Sequence, residues 1–275
     1  MQLKRLVERA LREDIGGGDV TTELIIPPNS KGRAVIKAKE SGILAGGEVA
    51  QVVFTTLDPD INFTQLIKDG KKFARGVVLF ELEGKLSTIL KGERVALNFL
   101  QRLSGIATLT NKFVERVSGT GVKILDTRKT TPGLRELEKY AVRCGGGENH
   151  RMGLSDMILI KDNHIKAVGG IREAIAQVIR HKPQGKVEVE VKNLEELEIV
   201  LDYPVDRIML DNMSIDEIKE AVASCEMQDA KCKIEVSGGV SLDNVCEIAE
   251  TGVDYISVGA LTHSVSSIDM SLMVL

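Results

Sequence analysis

Tryptophan is absent from this 275-residue sequence, and aromatic residues together make up only 3% of it. Proteins that bind single-stranded nucleic acid by stacking need aromatic platforms, so this mode of recognition is excluded as the main one. The net charge is −4, which also argues against a nucleic-acid protein held by bulk electrostatic attraction. The sequence therefore predicts no nucleic-acid partner, and any cationic patch has to be local.

Long apolar runs are also missing. No uninterrupted stretch approaches the roughly 18 residues that a membrane-spanning helix needs, so we predict no membrane association. The first residues, MQLKRLVERALREDIGGGD, interleave acids and bases with apolar residues at helical spacing, which predicts an amphipathic helix rather than a signal peptide. The four cysteines form no CxxC pair and show no zinc-type spacing, so reduced thiols in a cytoplasmic protein are expected.

The pattern up to about residue 120 is irregular and predicts an α+β region. A helix over residues 3–15 precedes strand-like segments such as RAVIKAKE and VVLFELEG. A long helical stretch then starts near Ser87, whose hydroxyl suits an N-terminal cap. Gly105 is predicted to bend or break this helix, because glycine is a poor residue for a helix interior.

From Val122 onward, short apolar runs alternate with amphipathic helices. The strand candidates are VKILD, DMILIK, VEVEV, RIMLDN, KIEVSGG and YISVGA. Repeated βα units predict an α/β fold with a parallel sheet covered by helices. Six strands are fewer than a closed barrel needs, so an open (incomplete) parallel α/β barrel is the first prediction. A doubly wound sheet is the alternative, because periodicity alone does not separate the two.

Polar residues follow the predicted strands, at the ends where both kinds of α/β fold place their functional sites. The strand-end residues are Asp126-Thr127-Arg128-Lys129, Lys161-Asp162-Asn163, Glu188 and Glu190, Asp211-Asn212, Ser237-Gly238-Gly239 and Gly259-Ala260. They combine cations, acids and glycine turns. A purely structural scaffold has little use for so many charged strand ends, so this rim is the predicted active site.

Two glycine turns in the last two βα units predict a phosphate site. VSGGVSLDN places Ser237, Gly238 and Gly239 between a strand and a helix, and SVGALTHS repeats the theme at Gly259. Backbone N–H groups of such turns bind anions together with the following helix N-terminus. Barrel enzymes build their phosphate sites from these last two loops. Tight turns that need glycine only for their geometry are the alternative interpretation.

Acidic residues on two neighbouring strands predict a metal site. Glu188 and Glu190 are two residues apart and therefore share one face of their strand, while Asp211 ends the next strand. Acids inside a parallel sheet are costly unless they face a polar cavity. Oxygen ligands of this kind suit Mg²⁺ shared with a polyphosphate. Salt bridges on an outward surface are the alternative.

Cations concentrate in the first two βα units. Arg128, Lys129, His150, Arg151 and Lys161 lie at strand ends or in the glycine-rich loop between them. Arginine binds carboxylate or phosphate in a bidentate fashion, whereas lysine acts as a point charge. Any one of these cations alone would more often be solvated. Together they predict a ligand with several negative charges.

The stretch LDTRKTTPGLRELEKYAVRCGGGENHRMGLSDMILIKDNHI, residues 125–165, resembles the signature of the quinolinate phosphoribosyltransferase family. Other matching segments follow in order: LREDIGGGDVTTELI, KGERVALNFLQRLSGIAT, VEVEV, MLDN, EVSGGV and TGVDYISVGALTHS. The resemblance covers nearly the whole chain, without departures in these motifs. It implies an N-terminal α/β sandwich domain (1–107), an open-barrel catalytic domain (108–262) and a tail (263–275) that returns to the first domain.

The resemblance also implies an activity. Phosphoribosyl pyrophosphate would donate its phosphoribosyl group to quinolinate, with loss of carbon dioxide, to give nicotinate mononucleotide and pyrophosphate in NAD biosynthesis. The implied cofactor is Mg²⁺ and the implied location is the cytoplasm. The implied assembly is a homodimer with shared active sites, and association of dimers into a larger oligomer is left open.

Site residues carried over from the resemblance fall into two groups. Quinolinate would be bound by Arg128, His150, Arg151 and Lys161, with Arg94 supplied by the partner chain. Phosphoribosyl pyrophosphate would be bound by Lys129, Glu190, Asp211, Ser237, Gly238, Gly239 and Gly259. Lys129, Glu190 and Asp211 are expected to act in catalysis, and Glu190 and Asp211 to bind the metal. Glu188 fits the pattern too, but Glu190 is preferred as the ligand.

Two other classes of function compete with this interpretation. One is another phosphate-handling barrel enzyme, such as an isomerase or a molybdenum-associated homologue of the family; LIKDNHI favours the quinolinate branch. The other is a non-catalytic protein that senses a phosphorylated ligand, against which the presence of both acidic and cationic halves argues. The appearance of carbon dioxide and pyrophosphate from quinolinate, phosphoribosyl pyrophosphate and Mg²⁺ would separate these possibilities.

Overall fold

The computed structural model describes residues 2–181 and 184–275. The chain divides into two compact units. Unit 1 comprises residues 1–111, 137–146 and 265–275, and unit 2 comprises residues 112–136 and 147–264. Within the described residues, no helix is both long enough and apolar enough to cross a membrane.

Helices and strands alternate irregularly at first and regularly from residue 123 onward. The helices are α1 (Gln2–Ile15), α2 (Val20–Ile25), α3 (Gly47–Leu57), α4 (Leu86–Arg116), α5 (Arg135–Cys144), α6 (Asp162–Val168), α7 (Ile171–Arg180), α8 (Leu194–Leu201), α9 (Ile215–Met227), α10 (Val245–Ala249) and α11 (Ala260–His263). The strands are β1 (Lys31–Ala38), β2 (Gly42–Ile43), β3 (Asn62–Gln65), β4 (Lys72–Phe73), β5 (Val78–Lys85), β6 (Lys123–Leu125), β7 (Ile158–Ile160), β8 (Val187–Val191), β9 (Arg207–Asp211), β10 (Lys233–Ser237), β11 (Tyr255–Ser257) and β12 (Met270–Val274).

Unit 1 is built on an antiparallel sheet with the strand order β12-β1-β5-β3. The tail returns to this sheet as strand β12, whose Val274 lies opposite Ala34 of β1. Aromatic side chains join helix α3 to the sheet: the Phe63 ring centroid is 5.8 Å from that of Phe54 and 5.2 Å from that of Phe80. The rings of Phe54 and Phe80 belong to the buried core of this unit, and Phe63 packs at its edge.

Helix α4 is unbroken over Leu86–Arg116, so the predicted break at Gly105 is wrong, while a bend there stays a prediction. Glycine is required there for a different reason, because a Cβ at this position would collide with the backbone carbonyl oxygen of Ser266. The close approach of the tail within unit 1 offsets the cost of about 1 kcal/mol that glycine carries in a helix interior. The predicted cap at Ser87 is also wrong, because α4 begins at Leu86, directly after β5.

Unit 2 contains a parallel six-stranded sheet with the order β6-β11-β10-β9-β8-β7. The strands from β7 to β11 lie side by side in chain order, and β11 then pairs with the first strand, β6. A doubly wound sheet would reverse its order at an internal switch point, which this sheet does not do. The predicted open α/β barrel is therefore confirmed, and the opening lies between β6 and β7.

Several buried positions inside this barrel are charged. Glu188 of β8 is in register with Arg207 of β9, and Glu235 of β10 is in register with Met209 of β9. Both glutamates are fully buried. Branched apolar residues usually fill these positions in α/β barrels. The interior of this barrel is therefore polar below its strand ends, and this polarity bears on the site above it.

Candidate active site

A cavity of about 300 Å³ opens at the carboxyl ends of the unit 2 strands. It is lined by Thr127, Arg128, Lys129, His150, Arg151, Leu159, Lys161, Glu190, Met209, Asp211, Ser237 and Ser257. Most of the site residues predicted from the sequence are therefore brought together. Sequence reasoning missed the apolar wall formed by Leu159 and Met209, because alternating apolar residues in a strand do not reveal which of them faces a cavity.

The three predicted glycines lie in the loops that follow two of these strands. Gly238 and Gly239 have φ angles of 91° and 62°, in the left-handed region that favours glycine. A Cβ at Gly238 would collide with the Asn212 amide, and one at Gly259 would lie 3.0 Å from Cδ of Lys129. The turns thus need glycine for their geometry, and their predicted role in phosphate binding stays a prediction.

Arg94 differs from the other predicted residues in its location. It belongs to unit 1, where helix α4 carries it as an exposed side chain. The residues that line the cavity all belong to unit 2. The expectation that a partner chain supplies Arg94 to the site stays a prediction.

Two arginines stand close enough in the cavity to repel each other. Burial lowers the pKa of the Arg151 guanidinium below its ordinary value, and the neighbouring charge of Arg128 lowers it further. The carboxylates of Glu188 and Asp156 raise this pKa, but by less. Arg151 also donates a hydrogen bond from Nη1 to the carbonyl oxygen of Met157, at 3.1 Å. Cations crowd together in this way where an anionic ligand offsets their repulsion. The pair therefore gives this side of the cavity a concentrated positive charge.

A salt bridge links the cationic and acidic sides of the cavity. Lys161 Nζ lies 2.8 Å from Oε2 of Glu190, with 42% of the lysine side chain exposed. The Lys161 backbone N–H donates to Nδ1 of His164 at 2.9 Å, which fixes the start of α6. Partly exposed ion pairs of this kind contribute only about 1 kcal/mol or less. A carboxylate of a bound ligand can therefore compete with Glu190 for the Lys161 ammonium group.

Asp126, at the end of β6, fixes the segment that carries His150 and Arg151. Its buried carboxylate accepts hydrogen bonds from the Asn149 side chain and, at 3.0 Å, from the backbone N–H of His150. The backbone N–H of Arg151 then donates to Nδ1 of His150 at 2.7 Å. The strand end therefore determines where the Arg151 side chain enters the cavity.

A group of titratable and charged side chains lies below the cavity, and we call it the core cluster: the buried His150, Glu188 and Glu235, and the partly exposed Arg207. Nε2 of His150 lies 3.1 Å from Oε2 of Glu188 and 3.5 Å from Oε1 of Glu235. Nη1 of Arg207 lies 2.5 Å from Oε2 of Glu235. The Arg207 guanidinium is 4.1 Å from the centroid of the Tyr255 ring, within the range of a cation–π contact.

Burial raises the pKa of both cluster glutamates, Glu188 and Glu235, to about 7. The charge of Glu188 raises the pKa of Glu235 further, whereas His150 and Arg207 lower it. Two neighbouring carboxylates in a low-dielectric interior disfavour double ionisation, so the pair holds a proton near neutral pH. Glu235 was missed from the sequence, where the only available signal was a single acid inside the apolar strand segment KIEVS.

We expect the Glu235 carboxyl to make the folded state less stable as the pH rises from about 4.5 to about 7. In this window the folded protein keeps a proton on Glu235 that the unfolded chain, with a pKa near 4.5, has released. The folded state therefore binds more protons, and the free energy of unfolding falls with rising pH, by up to about 3 kcal/mol. Urea unfolding at pH 5 and pH 7.5 measures this change, and Glu235→Gln, which cannot titrate, should show a smaller decrease. Equal decreases in both proteins would contradict the expectation.

Comparison with known proteins places this geometry in a family. The model of the quinolinate phosphoribosyl transferase N-terminal domain matches residues 19–104, and that of the C-terminal domain matches residues 106–273. A protein of Methanocaldococcus jannaschii, named as a probable nicotinate-nucleotide pyrophosphorylase (carboxylating), is 46% identical to this chain; the match covers 98% of this chain and 95% of the relative. A protein of the same name from Bacillus subtilis is 45% identical, covering 99% of this chain and 93% of the relative. The solved nicotinate-nucleotide pyrophosphorylase of Francisella tularensis superposes with a TM-score of 0.94 at 44% identity, covering 100% of this chain and 96% of that one.

Proposed function

The chain belongs to the quinolinate phosphoribosyltransferase family, and from that premise we propose how its cavity carries out the reaction. The reaction transfers the phosphoribosyl group of phosphoribosyl pyrophosphate to quinolinate with decarboxylation. It yields nicotinate mononucleotide, pyrophosphate and carbon dioxide in the de novo biosynthesis of NAD. The roles of the individual residues, the metal and the assembly are our proposals.

The observation that carries the proposed quinolinate subsite is the close pair of arginines. Quinolinate is a pyridine with two adjacent carboxylates, so it brings two negative charges to one side of a small ring. Arg128 and Arg151 are near enough to repel each other, and Lys161 lines the same cavity. Guanidinium groups bind carboxylates in a bidentate fashion. We therefore propose that these three cations bind the two carboxylates of quinolinate, together with His150 at the cavity wall.

The opposite side of the cavity suits phosphoribosyl pyrophosphate. The Lys129 side chain passes Gly259, and Thr262 Oγ1 donates a hydrogen bond to the Lys129 carbonyl oxygen at 2.8 Å. These contacts support a position for Lys129 beside the last glycine turn. The 5-phosphate is proposed to bind Ser237 and the two glycine turns, whose backbone N–H groups can donate to an anion.

Glu190 and Asp211 are the proposed Mg²⁺ ligands. Both are carboxylates that line the cavity from neighbouring strands. Mg²⁺ is commonly held by one or two carboxylates together with substrate phosphate oxygens, so this donor set fits the ion. When bound, Mg²⁺ would offset the negative charge of the leaving pyrophosphate.

The protein itself contributes position and electrostatics to the proposed mechanism. The cationic subsite orients quinolinate so that its ring nitrogen attacks the anomeric carbon of the ribose while pyrophosphate leaves. The carboxylate of Glu190 or Asp211 stabilises the positive charge that develops on the sugar. The carboxylate at position 2 then departs as carbon dioxide and leaves its bonding electron pair on that ring carbon, where the positive charge of the adjacent alkylated nitrogen stabilises it until the carbon takes up a proton.

The experiment that tests this function supplies quinolinate, phosphoribosyl pyrophosphate and Mg²⁺ to the purified protein. Carbon dioxide, pyrophosphate and nicotinate mononucleotide should form in equal amounts. Omission of either organic substrate should abolish all three products. A protein that consumes neither quinolinate nor phosphoribosyl pyrophosphate would refute the proposal.

Asp211→Asn should reduce kcat by about 100-fold and raise the Mg²⁺ concentration needed for half-maximal activity, because the charge that holds the ion is halved. Initial rates across a Mg²⁺ titration measure both effects. Asp216→Asn is the matched control, since Asp216 is exposed on helix α9. The same Mg²⁺ requirement in wild type and Asp211→Asn would contradict the proposed ligand set.

We further propose a homodimer in which each active site takes Arg94 from the neighbouring subunit. Arg94→Ala and Arg128→Ala should each be nearly inactive alone. In randomly mixed dimers, half of the dimers are mixed and half of their sites contain both arginines, so activity should recover to about a quarter of wild type. Heterodimers that demonstrably form yet show no recovery would argue against the shared site.

We propose a cytoplasmic location for the enzyme. The four cysteines carry free thiols, including the buried Cys225. Free thiols are typical of proteins in a reducing compartment. Cell fractionation followed by an activity assay would test the location.

A further inference from the structure

His150 lies at the wall of the cavity, but both of its ring nitrogens are engaged by the protein. Nδ1 accepts a hydrogen bond from the backbone N–H of Arg151, so the ring proton lies on Nε2. Nε2 faces the carboxylates of Glu188 and Glu235 at 3.1 Å and 3.5 Å. Only 9% of the residue is exposed. The imidazole therefore faces the two glutamates of the core cluster with Nε2 and the Arg151 backbone with Nδ1.

The neutral His150 ring points its Nε2–H dipole at the two carboxylates. Nε2 lies 3.1 Å from Oε2 of Glu188, without the alignment of a hydrogen bond. The Glu188 carboxylate is fully buried, so little solvent screens it. Its orientation and that of Glu235 therefore depend on neighbouring charged groups.

Arg207 holds Glu235 from the side opposite His150. Nη1 of Arg207 lies 2.5 Å from Oε2 of Glu235, while Oε1 of the same carboxylate faces His150. The arginine is itself held against the Tyr255 ring. Groups that orient an active-site side chain in this way are often as necessary as the groups that touch the substrate.

The segment with Asn149, His150 and Arg151 is held from two directions. Three glycines, residues 145–147, precede Glu148 and leave the backbone conformationally permissive. Asp126 holds the segment from the end of β6, and the core cluster holds the His150 ring from β8 and β10. Removal of Glu235 and Arg207 would take away one of the contacts that the Nε2 side of the His150 ring makes.

We propose that Glu235 and Arg207 are positioning residues for the phosphoribosyl transfer: they hold the His150 ring, which through Nδ1 fixes the backbone of Arg151. The guanidinium of Arg151 is thereby placed for a carboxylate of quinolinate. This proposal rests on the proposed function, specifically on the binding of quinolinate by Arg151.

The test uses the double variant Glu235→Leu/Arg207→Met. Removing one partner of a buried ion pair leaves an uncompensated charge, whereas replacing both with apolar residues is often neutral for stability. The KM for quinolinate should rise about tenfold or more, while the KM for phosphoribosyl pyrophosphate stays within about twofold. Lys233→Met is the matched control, because it breaks an exposed ion pair, Lys233 with Asp254, that starts on the same strand.

A spectroscopic readout separates positioning from general packing. With ¹⁵N-labelled histidine, wild type should show His150 and His164 in the Nε2–H tautomer, since Nδ1 of each accepts a backbone N–H, and the double variant should show a tautomer mixture at His150 alone. An unchanged tautomer, an unchanged KM for quinolinate, or equal rises in both KM values would each overturn the proposal. If the double variant does not fold, Arg207→Met gives the same comparison, because it removes the group that holds the Glu235 carboxyl. Wild type and Lys233→Met are assayed in parallel, so absence of product in both refutes the proposed function instead.

Discussion

Replacing Arg151 by alanine is expected to lower kcat/KM for quinolinate by about a thousandfold, with little change in the free energy of unfolding. A cation that pairs with a carboxylate inside a cavity contributes several kcal/mol when its removal leaves the partner charge unpaired, and about 4 kcal/mol corresponds to this factor. The fold should tolerate the change, because removal of the guanidinium also relieves its repulsion with Arg128 and its desolvation cost.

Steady-state kinetics and urea unfolding measure the two effects of Arg151→Ala together. Arg172→Ala is the control, since this arginine is exposed on α7 and its ion pair with Asp202 is solvent-accessible. Lys161→Ala should also cripple turnover, because Lys161 supplies a further positive charge to the same subsite. Near-normal activity in both Arg151→Ala and Lys161→Ala would contradict the assignment of the cationic subsite.

Quinolinate should be preferred over nicotinate by about 10⁴-fold in kcat/KM. Nicotinate lacks the carboxylate at position 2, so its binding would leave part of the positive charge of Arg128, Arg151 and Lys161 without a counter-charge. Sites built to pair with a polar group of the substrate reject analogues that lack it by factors of this size. The same cations explain both affinity and selectivity.

Release of pyrophosphate measures turnover of both substrates, and release of carbon dioxide reports quinolinate alone. The preference should shrink in Arg151→Ala, because that variant loses a contact that favours the dicarboxylate. Comparable kcat/KM values for quinolinate and nicotinate in wild type would show that the cations serve another ligand.

The sequence predicted the barrel because its βα alternation is regular, and it predicted most cavity residues because strand ends converge on one rim. The break at Gly105 was predicted wrongly because helix propensity is local, whereas the reason for this glycine is the approach of Ser266 from the far end of the chain. Propensity describes a segment by itself, and tertiary packing overrides it.

Glu235 shows why the charged interior escaped prediction. A single acid in an apolar strand gives the same sequence pattern whether it faces solvent or a buried cavity. The partners of Glu235, His150 and Arg207, come from distant segments of the chain. The salt bridge between Lys161 and Glu190 was hidden for a similar reason, since the motifs placed these residues with different substrates. Pairing across strands depends on register, which no single motif encodes.

The strand pairings also constrain how the chain acquires its structure during synthesis. In unit 1, β1 pairs with β12, so Ala34 cannot form its pairing until Val274 has been synthesised. In unit 2, β6 is the first strand of the barrel in the chain, and it pairs with β11, the last. Such pairings of high contact order close long loops and form slowly. Neither sheet can be completed until its last strand, β12 in unit 1 and β11 in unit 2, has been synthesised. The first strand of each sheet therefore remains without one of its neighbours while most of the intervening residues are added.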